Sequence, residues 1–277
     1  MNLVLIPGFM ANASLWDEVA PGEFGPLTYG DVSQQATIPA MARHVAANAP
    51  DRFILIVFSM GGYVAREVAR VQALVLVATS ARADTPEQAH RKAAAIANLS
   101  RSRFTGLSRT AIAALLHPPR AMDASLIERI RHMGERLGRE VFLRQAGVQR
   151  ESDLHRLGEI HCPTLVVAAA QDPLRSLAEA QELEQGIAGS SLTLIEGSGH
   201  MVPIEAPYPT LRKARGAESR TQCPCDVRSP LAPVPTGPAE HPPTPAPSRA
   251  RRSHVAVHPE PAQEARAILG DDTAVRG

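Results

Sequence analysis

Three residues of this 277-residue chain have the types and the chain order needed for nucleophilic acyl transfer: Ser59, Asp172 and His200. A serine hydroxyl is a weak nucleophile at its free pKa and needs a neighbouring base to take its proton. A histidine serves as that base best when a carboxylate holds its ring in one tautomer and stabilises the imidazolium. Each of the three residues stands where an apolar run stops. Ser59 ends "RFILIVFS", Asp172 follows "TLVVAAA", and His200 lies in the Gly-rich loop after "SLTLIEG". If these runs are parallel strands, all three side chains reach one edge of a sheet, because parallel strands end on the same side.

The elements around Ser59 can deliver it. A buried strand, then Ser59–Met60–Gly61–Gly62, then the helical pattern "GGYVAREVAR" has the shape of a nucleophile elbow. Such a turn pushes the serine side chain out above the sheet, and it predicts the chain order serine, acid, histidine. The Met60 N–H and the start of the helix then face any charge that builds on a substrate oxygen. A second donor is expected from "LIPGFM", where the Pro7–Gly8 turn aims the Phe9 N–H at the same point. Two convergent N–H groups are worth roughly 3–4 kcal/mol each in such a site.

Other assignments compete. Asp84 follows the strand "ALVLVATS" and is a rival for the acid, although Asp172 has the better local match. Asp172 also reads as a helix-capping carboxylate before "PLRSLAEAQEL". His44, His90, His117, His132, His155 and His161 are scattered over helices and loops and read as surface or packing residues, as does Tyr63.

Strands and helices alternate through the first 206 residues. "NLVLIPG", "RFILIVFS", "ALVLVATS", "TLVVAAA" and "SLTLIEG" are apolar runs of strand length. Helical patterns lie between them at 39–49, after Ser59, and near 176–185. That rhythm predicts an α/β fold with a mostly parallel sheet. Residues 81–159 interrupt it with four helical patterns and no comfortable strand, as expected of a helical cap over the strands' C-terminal ends. From Pro207 onward the composition changes: 13 of the 24 prolines lie at or after it. This segment has few large apolar residues and no periodicity, so 207–277 is expected to be disordered.

Composition excludes several function classes. A net charge of +1 provides no electrostatic footprint for nucleic acid or a membrane surface. Aromatic residues at 4% make a poor base-stacking platform. The basic run "SRARRS" reads as an accident of the tail. Cys162, Cys223 and Cys225 have neither the number nor the spacing for a disulfide framework or a zinc site. No stretch has the ~18 apolar residues of a membrane span, and the N-terminus lacks a charged leader and a long apolar core. A cytoplasmic protein without metal is the expectation.

Taken together, "LIPGFMANASLWDEV", "FSMGGYVAREVA", "CPTLVVAAAQDPLRS" and "EGSGHMVPIEAP" resemble the α/β-hydrolase fold superfamily, in particular its small capped esterase and lactonase-like members. The resemblance covers about residues 2–207. It implies a cofactor-free serine hydrolase acting on a small acyl substrate, a carboxylic ester, lactone or thioester. In that family Ser59, His200 and Asp172 would be nucleophile, base and orienter, with the Phe9 and Met60 N–H groups as oxyanion donors. A lyase using the same triad, and a non-catalytic ligand-binding relative, stay open on these residues.

Three features depart from the family pattern. Val57 stands where relatives carry glycine or another small residue. It is expected to crowd the elbow, with overpacking costing ~1–3 kcal/mol, so Val57→Gly should strengthen reaction at Ser59. The join "EVARVQALVLV" is short, so the helix must fray around 67–70. The residues after "PIEAP" offer little apolar cover, so one sheet face should lie partly bare and favour self-association.

Overall fold

The computed structural model describes residues 2–19, 25–68, 71–99 and 104–207. The tail from 208, with Cys223, Cys225 and "SRARRS", lies outside them, as do Ala69 and Arg70 of the short join. The core is a six-stranded sheet, parallel throughout, in the order β2-β1-β3-β4-β5-β6. The strands are β1 (Leu3–Ile6), β2 (Leu27–Tyr29), β3 (Phe53–Phe58), β4 (Val71–Val77), β5 (Thr164–Ala169) and β6 (Ser191–Ile195). Five of these are the apolar runs read from the sequence. β2 was not expected. It is three residues of half-exposed edge, too short for a periodic signal, and is fixed by pairing with β1 from Leu3↔Leu27 to Leu5↔Tyr29.

The central strands are apolar on both faces because both are covered. On one face Val4, Leu55 and Leu76 pack with Met41 and Val45 of α1 (Ile38–Asn48), Val64 of α2 (Gly61–Ala65) and Leu183 of α6 (Leu177–Gly186). On the other, Leu5, Ile56 and Val75 share a cluster with Trp16 and with the inserted segment. That segment contains α3 (Pro86–Leu99), α4 (Arg109–Ala113) and α5 (Ala124–Ala146). Ile112 of α4 and Ile127, Ile130 and Met133 of α5 join the sheet's own core. The insertion is therefore packed into the fold as well as lying over it. Within the sheet β1, β3 and β5 are buried along their whole length, and the exposed large apolar side chains are on the two edge strands, Tyr29 of β2 at 44% and Leu194 of β6 at 38%.

Local signals account for most helix limits. α5 is two helical segments that meet at Gly138, whose φ of 81° is natural for glycine and costly for other residues. α4 stops at Ala113, although the helical pattern "RTAIAALLH" runs on to His117. The next turn tightens through Leu115 N–H to Ile112 O and Leu116 N–H to Ala113 O, and Pro118 holds His117 in an extended conformation. α2 ends at Ala65, earlier than the fraying expected at 67–70. The buried Arg66 guanidinium stacks 4.6 Å from the Tyr63 ring centroid and pairs with Asp153 at 2.7 Å.

Val57 has a different role from the one its position suggests. It is fully buried, paired in register with Ile6 and Leu76, and belongs to the core cluster of the α1, α2 and α6 face. Removing its side chain takes away core volume and loosens the strand. Val57→Gly is expected to lower stability by about 2–4 kcal/mol, a buried valine plus the entropy of a strand glycine. Urea unfolding checks this: an unchanged midpoint, or faster reaction at Ser59, would restore the crowding view.

Candidate active site

Ser59 follows β3 directly with φ of 51°, a left-handed conformation that costs an L-residue about 1–2 kcal/mol. Hydrogen bonds hold it there. Its N–H donates to Val77 O at 3.0 Å, and its carbonyl accepts from Gly62 N–H at 3.0 Å and from the Thr79 hydroxyl at 2.6 Å. A side chain at Gly62 would place its Cβ 2.1 Å from Thr79 Oγ1, so glycine there lets the Thr79 strand end close on the elbow. Thr79 was not singled out from the sequence, since a threonine after a strand is unremarkable until the elbow closes on it.

His200 lies beyond β6, in a loop held from several sides. Its N–H donates to Leu115 O of the inserted segment at 2.7 Å, and its ring packs 5.1 Å from that of Phe58. Nε2 is 2.9 Å from Ser59 Oγ, and Nδ1 is 2.8 Å from Asp172 Oδ2. A carboxylate that accepts from Nδ1–H leaves Nε2 of a neutral ring to accept from the serine hydroxyl. Ser59 and His200 are 8% and 4% exposed. The three residues read from the sequence thus meet in one chain of hydrogen bonds.

Asp172 divides its two oxygens. Oδ2 serves His200, while Oδ1 accepts from Leu174 N–H at 2.8 Å and Arg175 N–H at 3.0 Å. The capping reading was therefore half right: the carboxylate does hold a backbone turn, but α6 itself is capped by Ser176 in a capping box with Glu179.

Asp84 is elsewhere. It lies where the chain leaves the sheet for the insertion, and it pairs with Lys92 of α3 and with Arg150, where the chain returns. Burial pushes its carboxyl up, but the hydrogen bond from Lys92 and the charge of Arg150 outweigh burial and hold it below its ordinary 3.8. Burial holds Lys92 below its usual value even beside Asp84, so the pair offsets that burial only in part. Asp84→Asn leaves two half-buried cations facing each other. It is expected to cost about 3 kcal/mol at neutral pH with little effect on chemistry at Ser59. A carboxyl lowered in the folded state stabilises above its unfolded value and loses that contribution as pH falls through the folded one. The deficit of Asp84→Asn, followed by thermal unfolding, should therefore shrink below pH 3.8.

The loop after β1 lies against the elbow. A Cβ at Gly8 would fall 3.1 Å from Ser59 Cβ, so the backbone leading to Phe9 runs beside the serine, and Met60 follows it directly. Glu205 of α7 (Val202–Glu205) was also missed. Its carboxylate accepts from Gly199 N–H at 3.0 Å and from His117 N–H at 2.7 Å, joining the histidine loop to the insertion. Burial raises its pKa, and the same two N–H groups oppose that rise. Gly199 is six residues away, but His117 is close only after the insertion has docked, so no local pattern marks that link.

The sequence model of the alpha/beta hydrolase family matches residues 3–213. Among solved structures, an esterase from Thermogutta terrifontis superposes with a TM-score of 0.70 at 22% identity, covering 80% of this chain and 91% of that one. A hydrolase from Pseudomonas aeruginosa gives 0.67 at 20% identity over 78% and 89%. The enol-lactonase from Burkholderia xenovorans gives 0.63 at 18% over 79% and 91%. No curated protein matches by sequence. Among the described residues no helix is long and apolar enough to cross a membrane.

Proposed function

Because this chain belongs to the alpha/beta hydrolase family, we propose that it is a cofactor-free serine hydrolase of a small carboxylic ester, lactone or thioester. The observation that carries this reading is the hydrogen-bond chain Ser59 Oγ–His200 Nε2 at 2.9 Å and His200 Nδ1–Asp172 Oδ2 at 2.8 Å. Ser59 Oγ attacks the substrate carbonyl carbon, and its proton passes to His200 Nε2. The tetrahedral oxyanion forms against the N–H groups of Met60 and Phe9. As the intermediate collapses, the carbon–oxygen or carbon–sulfur bond to the leaving group breaks, and that group takes the proton from His200. A water molecule, deprotonated by His200, then attacks the acyl-enzyme. As this second intermediate collapses, the bond from the acyl carbon to Ser59 Oγ breaks, His200 returns the proton to Ser59 Oγ, and the carboxylic acid is released. Asp172 keeps Nδ1 protonated and stabilises the imidazolium throughout.

The test is reaction of the purified chain with a fluorophosphonate probe, followed by a panel of short-chain p-nitrophenyl esters and thioesters. A mass adduct on Ser59 together with ester turnover supports the reading. A folded protein that neither labels at Ser59 nor turns over any ester overturns it.

A further inference from the structure

The insertion contains a buried polar side chain that the reaction above does not use. Gln145, near the end of α5, is 2% exposed. Its Oε1 accepts from Met10 N–H at 2.8 Å, and its Nε2 donates to Val32 O at 3.3 Å. Met10 is itself 2% exposed and has φ of 52°. It is the residue after Phe9, whose N–H was assigned above to the oxyanion. A buried backbone N–H held in a left-handed conformation by a single side-chain acceptor has no water to replace that acceptor. The neighbouring residues of α5 grip the same loops. The Phe142 ring meets that of Phe9 edge-on at 5.5 Å, and Arg144 Nε donates to Ser33 O at 3.0 Å. The break at Gly138 separates this gripping half of α5 from the half that packs on the sheet.

We propose that Gln145 is a positioning residue for the oxyanion site: it fixes the Phe9–Met10 backbone through the Met10 N–H, so the inserted segment sets the aim of one of the two donors. The role needs an acceptor and a donor on one side chain, which glutamine has and an apolar residue of similar size does not. Without the acceptor, Met10 can relax from its left-handed conformation, and the peptide before it turns with it. The inference rests on the hydrolase reading above.

The experiment measures the fluorophosphonate labelling rate of the full chain, kcat and KM on p-nitrophenyl butyrate, and the affinity of phenylboronic acid, a tetrahedral mimic. Gln145→Leu is expected to slow labelling and lower kcat by about 10- to 100-fold, less than the ~100- to 1,000-fold for outright loss of a donor. Boronate affinity should fall in proportion. KM should stay within about threefold and the pH–rate profile should keep its shape, because the lost interaction acts in the transition state. Gln145→Glu keeps an oxygen acceptor for Met10 but, when ionised, gives up the donor to Val32 O, so it should recover the rate only in part. If Gln145→Leu does not fold, Gln145→Asn carries the same test, since it withdraws the acceptor by one methylene. Folded variants that label and bind boronate like wild type overturn this inference and leave the hydrolase reading standing. Wild-type protein that never labels at Ser59 overturns both.

Discussion

Ser59→Ala is expected to lower ester turnover by about 10⁴- to 10⁶-fold, the range seen when a triad nucleophile is removed from an otherwise intact site. Fluorophosphonate labelling should vanish with it. The fold should survive. The elbow is held by the backbone of Ser59, through Val77 O, Gly62 N–H and the Thr79 hydroxyl, and none of these bonds uses the serine side chain. Only the contact with His200 Nε2 is lost. The measurement is kcat on p-nitrophenyl butyrate beside a urea unfolding curve, with a stability change within about 1 kcal/mol, the value of one hydrogen bond. A variant that keeps a tenth of the wild-type rate would mean that the observed hydrolysis does not run through Ser59.

Asp172→Asn should cost nearly as much, about 10⁴-fold in kcat or roughly 5.5 kcal/mol of barrier. The reason lies in the other oxygen of the carboxylate. Oδ1 is pinned by the N–H groups of Leu174 and Arg175. An asparagine that keeps these two bonds must turn its NH₂ toward His200 Nδ1. The ring then accepts at Nδ1 and carries its proton on Nε2, facing Ser59 in the tautomer that cannot take the serine proton. The alternative flip would set an NH₂ against two backbone donors. Because the geometry changes little, kcat should collapse while unfolding shifts slightly. Asp84→Asn provides the contrast, with stability lost and kcat kept. If Asp172→Asn lowered kcat by less than tenfold, another group would be orienting His200.

Most of the sheet and the three central side chains were legible in the sequence for local reasons. A buried parallel strand is a run of β-branched and apolar residues, so β1, β3, β4, β5 and β6 declare themselves without neighbours. A serine between such a run and two glycines, with an aspartate and a histidine just past later runs, implies one sheet edge because parallel strands end together. Gly138 breaks α5 for an equally local reason, since glycine takes its φ of 81° without strain.

Only the tertiary structure decided the rest. β2 exists because β1 offers it an edge, and its own three residues have no periodicity to read. Val57 looked like an obstruction beside the elbow, but its buried place among the core residues of the sheet and α2 depends on strand register and on the helix that covers it. Asp84 lost its claim to the acid role because Lys92 and Arg150, 8 and 66 residues away in sequence, converge on it when the insertion closes. Glu205 and Gln145 act across 88 and 135 residues, on His117 and Met10. A strand or an elbow is specified by neighbours a few residues apart, and its signal lies in the local pattern. A carboxylate or amide that holds a distant loop takes its role from the partner it meets, and that meeting is decided by how the insertion packs onto the sheet.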